Sequence, residues 1–455
     1  MKFGIKNLGP IKETNIEIGD LTIICGENNS GKTYLTYSLY SFLKYACGNI
    51  FAEIEEKYFN QCYKEGFCHL NADCIWNKWN ECISRQLDEF MADTLPDMLA
   101  LSPEKIKEET QIMVSLDESD YKNFLQKKSK AKYQVTEKCL ISISKEENSG
   151  VLDISLENTG ERLPRKEHLR KMFGIVCSLF FGQVFLDVFS LTGERSGVSI
   201  FADNIADFNR KNSIEVPARS RRTRKLLESL KNEVPVFSLP IMKEFAFFQK
   251  IRRIVRQNTS FIFSKHPDLL TLMDNLVGGH YDFDDDLGIQ YVPQDSNVAL
   301  TLTESSSSIK SLVEFYFYLR HCAQYNQVLM IDEPEINLHP QNQRRFARFL
   351  ARLVNVGIKV FITTHSDYFI KEFNTLIMLT QNKPHIARVM TNEGYVAEEL
   401  LDATRVRAYE AKKEQEGIVF IPAPVSPESG IAISTLDSVI DKMNQIQDEI
   451  IWGAE

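Results

Sequence analysis

The sequence is short of several features, and each shortage removes a class of function. Positive charge is one: 53 Lys and Arg stand against 62 Asp and Glu, a formal net charge of −9. No global field draws such a chain onto nucleic acid or anionic lipid, so any contact of that kind must come from a local patch. Long apolar runs are another. The most apolar stretch, Ser178–Leu191, is interrupted by Gly182, Gln183 and Asp187 and is shorter than the roughly 20 residues a bilayer-spanning helix needs. The N-terminus, MKFGIKNLGPIKE, lacks the apolar core of a secretory signal. A cytoplasmic protein that does not enter a membrane is therefore expected.

Ligand-spaced cysteines are also missing. Nine cysteines, an odd number without framework spacing, fit reduced thiols in that compartment. Cys62, Cys68, Cys74 and Cys82 cluster near His69 at spacings of six, six and eight, which match no zinc pattern and read as buried thiols. Internal repeats, low-complexity tracts and sustained heptads are absent too, which excludes solenoids and long coiled-coil arms.

What remains is an ordinary globular composition, 43% hydrophobic and 25% charged. The 455 residues suffice for roughly two to three domains, or one large domain with insertions. Lys2–Leu8, Ile11–Ile18 and Leu21–Cys25 have strand patterns punctuated by Gly9-Pro10 and Gly19-Asp20. Tyr34–Tyr45 turns helical, with Leu35, Leu39 and Leu43 four apart. Residues 50–130 read as mostly helical, 133–145 and 149–157 as a hairpin, 166–183 as a helix and 205–275 as helical again. Short strands at 288–292 and 298–303 lead to a helix from Ser308, the strand Val328–Ile331, a helix over 340–354 and the strand Lys359–Thr363. Alternating strands and helices at both ends, with a helical middle, predict an α/β sheet carrying a large insertion.

Gly26-Glu27-Asn28-Asn29-Ser30-Gly31-Lys32-Thr33 fits G-x-x-x-x-G-K-[ST] in full. A loop that wraps a phosphate with main-chain N–H groups needs glycine where side chains would clash. It also needs a helix N-terminus aimed at the charge. An apolar strand precedes this loop and an amphipathic helix follows. Lys32 can then reach the β and γ phosphates of ATP, and the Thr33 hydroxyl can ligate Mg²⁺.

Val328–Ile331 is an apolar strand ending in Asp332 and Glu333. A buried strand tip holds a carboxylate rigidly beside Mg²⁺, which suits Asp332, directly or through water. Glu333 suits a general base that polarises the attacking water. The next strand ends in Thr363-Thr364-His365, where a histidine can reach a γ-phosphate and orient that water.

Phosphate loop, Asp-Glu strand and Thr-His strand, in that order, resemble the ABC-type ATPase heads of the SMC and OLD families. The resemblance covers roughly residues 1–45, 185–200 and 285–380. It implies a signature loop upstream of the carboxylates, where Ser305-Ser306-Ser307-Ser308-Ile309-Lys310 stands with serines in place of the family's two glycines. By that resemblance Ser306 touches the γ-phosphate held by a partner protomer, and Lys310 matches the basic residue opening the following helix. Pro334–Pro340 resembles the family's E-P-E-x-x-L-H-P turn. Leu191–Gly197 resembles its P-A-x-R-S-G segment, which puts Arg195 at the Q-loop position without a glutamine, either near the nucleotide or as a surface arginine.

The resemblance also implies a homo-oligomer, a dimer or multiples of it, with ATP sites shared between protomers. Only residues 366–455 follow His365, without the Toprim domain that OLD nucleases carry there, and Asp282–Asp286 reads as a solvated loop. The pattern is most similar to the AriA-type ATPases of PARIS anti-phage systems, then to the PtuA-type ATPases of Septu and retron systems. In those a phage-encoded trigger is sensed, and a separate nuclease of the Toprim or HNH type is held or released. The alternative is a DNA-binding repair ATPase of the RecF or SMC kind. A transporter's nucleotide-binding subunit is disfavoured by the helical insertion and the LHP turn.

Two basic clusters, Arg219–Lys225 and Lys250–Arg256, could meet nucleic acid or an acidic trigger protein, or could be solvated helix faces. Residues 1–49, 185–204 and 285–380 are expected to make the head, with insertions at 50–184 and 205–284 and a tail over 381–455. In that tail Val406–Tyr409 reads as a helix and Ser429–Met443 as a strand–helix pair, closing the fold or docking a partner.

Overall fold

The computed structural model describes residues 1–50, 54–102, 106–160, 163–201, 237–285, 287–296, 298–433 and 442–450. The strand Leu21–Cys25 is buried at every residue, and a strand buried in this way belongs inside a sheet covered on both faces. It sits within a nine-stranded sheet ordered Ile106–Ser115, Lys2–Leu8, Ile11–Glu17, Gly417–Ala423, Val406–Glu414, Leu21–Cys25, Lys359–Thr364, Val328–Asp332, Val188–Leu191. From Val406–Glu414 to Val188–Leu191 neighbouring strands run parallel. The class is α/β, as the alternation of elements predicts.

Side chains of period two divide these strands between two cores. Leu21, Ile23, Leu329, Ile331, Val360 and Ile362 point into one, and Ile24, Val328, Met330 and Phe361 into the other. Helices Pro267–Val277, Ser307–His321, Pro340–Asn355 and Asp367–Met378 close the first core. The second is closed by Lys32–Asn49 and by the inserted helices Ala72–Glu89 and Lys166–Phe181, whose Trp79 and Phe181 meet edge to face at 5.0 Å.

The insertion holds more strand than its sequence pattern predicts. Ile106–Ser115, read as helical, pairs antiparallel with Lys2–Leu8 at the sheet edge, Ile112 opposite Ile5. Along it Glu109, Gln111 and Met113 are exposed while Thr110 and Ile112 are buried, the alternation of a half-buried edge strand, so tertiary pairing overrides local helix preference. The expected hairpin is three strands, Ser129–Thr136, Cys139–Lys145 and Val151–Asn158, joined by Phe67–Asn71 into a separate antiparallel sheet. Asp282 and Asp284, expected in a loop, lie in the strand Gly279–Asp284, a hairpin partner of Gly288–Pro293.

The tail differs as well. Val406–Tyr409, read as helical, opens the strand Val406–Glu414, which pairs with Leu21–Cys25 and turns back as Gly417–Ala423 beside Ile11–Glu17. Val406 and Ala408 enter one core and Tyr409 and Ala411 the other. A strand buried on both faces shows no alternation that a short sequence window could detect. The first basic cluster, Arg219–Lys225, lies outside the described residues. Among the described residues no helix is long and apolar enough to cross a membrane.

Candidate nucleotide site

Parallel register brings three strand ends level, with Asp332 opposite Thr363 and Cys25 opposite Thr364. In open α/β sheets the crevice beyond the carboxyl ends of the strands is where ligands gather. Residues 26–31 leave the first of these ends and run into the helix Lys32–Asn49.

Glycine is required twice in that loop. At Gly31 φ is 77°, and at Gly26 an added Cβ would lie 2.6 Å from Ala411 Cβ and 2.8 Å from Ser30 Oγ. Asn29 is also left-handed, at φ 63°, a conformation asparagine tolerates better than most residues. Glu27, Asn28 and Asn29 are exposed, whereas Ser30, Gly31 and Lys32 are buried.

Lys32 Nζ donates to the Gly26 and Glu27 carbonyls at 2.8 Å each. Burial pulls its pKa below the usual 10.5, against the opposing pull of Glu333, Asp332 and Glu335. The Ser30 hydroxyl is buried without a hydrogen-bond partner. An unsatisfied hydroxyl costs stability unless a ligand meets it, and this one lies inside a loop whose ammonium and helix N-terminus favour an anion. The residues therefore fit a phosphate chain.

At the second strand end Thr33 Oγ1 donates to Asp332 Oδ2 at 3.4 Å, and Thr363 Oγ1 donates to Asp332 Oδ1. Burial raises Asp332 to about 6, the Thr363 hydroxyl opposing and Glu333 adding to the rise. A hydroxyl and a carboxylate side by side form the oxygen-only donor set that Mg²⁺ prefers. Glu333 follows at φ 49°, a strained backbone for a residue with a Cβ, costing about 1–3 kcal/mol. Its N–H is pinned by the Thr363 carbonyl and hydroxyl, both at 3.1 Å.

His365 Nδ1 stands 3.6 Å from Glu333 Oε1 and 3.3 Å from Glu335 Oε1. Glu335, which the sequence marks only as part of the Pro334–Pro340 turn, is buried and accepts from Thr364 Oγ1 at 2.8 Å and from the His365 N–H at 2.9 Å. Burial raises its pKa. The available signal was a second carboxylate just beyond Glu333, across Pro334.

Arg195 is not the surface arginine that one of the two sequence readings expected. It is 3% exposed, and its guanidinium donates to main-chain carbonyls of Thr192, Ser311, Asp332 and Glu333 at 2.8–3.1 Å. Those bonds commit it to backbone. Thr192 in turn donates its N–H and hydroxyl to the buried Glu244 at 2.5 and 2.7 Å. Glu244 hydrogen-bonds Glu314; burial holds Glu244 up at about 7 and Glu314 well above the carboxylate range, so Glu314 keeps the proton.

The serine loop lies apart from these residues in its bonding. Ser306 caps the helix Ser307–His321 through the Ile309 N–H at 3.4 Å and meets Ser308 Oγ at 2.9 Å. Lys310 Nζ donates to the Thr303 carbonyl at 3.4 Å. Ser306 and Ser307 are exposed.

In the second basic cluster, Arg252 and Arg256 both bond Asp285, and Arg253 bonds Gln257 at 2.8 Å. The acidic stretch and this cluster thus partly neutralise each other. No cysteine is in a disulfide, and Cys74 is half-buried rather than buried.

Comparison with known proteins gives one family: the model described as the AAA ATPase domain matches residues 1–161 and 191–370. No curated protein matches the chain in sequence. Solved structures similar to it include an Smc head bound to the C-winged helix domain of ScpA, at 12% identity over 96% of this chain and 98% of that one, TM-score 0.37. The SMC head domain from Thermotoga maritima follows at 11% identity over 93% and 98%, TM-score 0.32. An Smc head domain with an extended coiled coil, bound to the C-terminal domain of ScpA derived from Pyrococcus furiosus, stands at 12% identity over 98% of both chains, TM-score 0.35.

Proposed function

The chain belongs to the AAA ATPase domain family, and from that premise we propose that it hydrolyses ATP in sites completed by two copies of an ABC-type head. The observation that carries this reading is the meeting of Lys32, Thr33, Asp332, Glu333 and His365 at level ends of neighbouring strands. Residues 26–31 wrap the phosphates with N–H groups, and Lys32 leaves its two carbonyls to pair with the β and γ oxygens. Thr33 and Asp332 would hold Mg²⁺, which neutralises phosphate charge when bound. Glu333 takes a proton from the attacking water, and His365 orients that water. Ser306 and Lys310 of a second chain close over the γ-phosphate, so that phosphate binding energy becomes subunit association.

Within that activity the finer role is that of an anti-phage ATPase subunit, similar to the AriA type, that holds a separate Toprim or HNH nuclease until a phage trigger arrives. Its support is the E-P-E-x-x-L-H-P turn over 333–340 and the long insertion between the two parts of the head.

Sizing of Glu333→Gln tests the shared site: a dimer or larger species with Mg-ATP and a monomer without it is expected. A monomer under both conditions overturns it. Co-expression with the adjacent gene product tests the finer role, the expected result being a complex that Mg-ATP forms or dissolves. Turnover stimulated by duplex DNA and suppressed by salt would move the reading to the RecF or SMC kind.

A further inference from the structure

We propose that Arg195 is a positioning residue that ties the serine-capped helix to the backbone of Glu333, so that a load on Ser306 is felt at the general base. The inference rests on the reading of Glu333 just given and adds the path by which the distant loop reaches it. One guanidinium joins three segments. Nε donates to the Ser311 carbonyl at 3.1 Å, Nη1 to Thr192 at 2.9 Å and Asp332 at 2.8 Å, and Nη2 to Glu333 at 2.9 Å.

Ser311 lies in the second turn of the helix that Ser306 caps. A helix moves as a rigid rod, so an axial shift of about 1 Å would carry that carbonyl beyond hydrogen-bond range unless Arg195 followed. Arg195 can follow only by pulling the Asp332 and Glu333 carbonyls, which flank the strained φ of Glu333.

The near side of the link is firm. The Arg195 N–H returns to Thr192 O at 3.3 Å, and Glu244 grips Thr192 from the helix Leu239–Gln249. Once ionised, above about pH 7, Glu244 also supplies a buried countercharge to the guanidinium. Lysine cannot replace this arrangement: its single nitrogen keeps the charge but cannot span carbonyls on three segments.

Arg195→Lys is expected to lower kcat about tenfold or more while the KM for Mg-ATP stays within about twofold, because the lost contact orients the base and does not bind substrate. A raised KM with kcat unchanged would make Arg195 a ligand and overturn the proposal, as would wild-type kinetics. Hydrogen exchange in the unliganded chain reads the link without activity. Faster exchange in Arg195→Lys is expected both over 305–315 and over 328–340, and a change in neither or only one overturns the link. If the wild type shows no turnover, the ATPase reading falls and the exchange result still stands or fails alone. Where Arg195→Lys loses cooperative unfolding, Glu244→Gln loosens Thr192 instead and must give the same split in kcat and KM; wild-type kinetics there overturn the link.

Discussion

The two parts of the proposed site are built in opposite ways. The phosphate-loop part is interior: Lys32 is 5% exposed, Asp332 6% and Glu335 7%, and each has hydrogen-bond partners within the chain. The serine-loop part is surface, with Ser306 and Ser307 exposed and the Ser306 hydroxyl bonded to its neighbours Ser308 and Ile309. A group held by its own sheet can meet a ligand with little rearrangement, and preorganisation of that kind carries much of an enzyme's electrostatic catalysis. A serine at an open helix cap has no such frame until another surface supplies one.

The largest expected effect lies in the interior part. Lys32→Ala removes the only side-chain cation in the phosphate loop, and turnover should fall about 100-fold or more, as for other preorganised electrostatic groups. Nucleotide affinity of the single chain should fall with it, measured by titration with Mg-ADP. Retained affinity in Lys32→Ala would break the comparison, since the interior part would then not be the primary binding surface.

A smaller and differently distributed loss is expected from the surface part. Ser306→Asp keeps a good helix N-cap while setting a carboxylate against phosphate in the closed pair. Turnover should fall about tenfold to a hundredfold, with Mg-ADP affinity and melting temperature close to wild type. Glu333→Gln/Ser306→Asp should also stay monomeric on sizing with Mg-ATP where Glu333→Gln does not. If Ser306→Asp instead weakens Mg-ADP binding to the isolated chain, Ser306 serves its own chain's nucleotide.

Sequence alone made the interior part legible because its residues have fixed spacing and distinctive chemistry. The loop from Gly26 to Thr33, the carboxylates after Val328–Ile331 and His365 after its strand are each recognisable from residue type and spacing alone. What escaped was set by distant pairing. Glu244, Thr192 and Arg195 lie in segments that no local rule connects, yet they meet beneath the Asp332 backbone. The strand Val406–Glu414 escaped for a related reason: its apolar residues serve two cores at once, and only the neighbouring strands reveal which face each residue covers. Ile106–Ser115 escaped because edge pairing outweighed a composition typical of helices.

The smallest expected effect concerns stability and separates the two parts by pH. Glu244 belongs to the interior network, and burial raises its folded pKa from 4.5 to about 7. Between those values the unfolded chain releases a proton that the folded chain keeps. Its stabilising contribution is therefore fully present below pH 4.5 and is lost as pH rises through 7, an effect of up to about 3 kcal/mol. Glu244→Gln cannot ionise, so its melting temperature relative to wild type should climb from pH 4.5 to pH 7 and level off above. Ser306→Asp, whose new carboxylate is solvated, should show no such climb across that window. Parallel pH profiles for the two variants would mean that Glu244 ionises as freely as a surface group, and the proposed division between a buried and an exposed part would fail at its best-defined point.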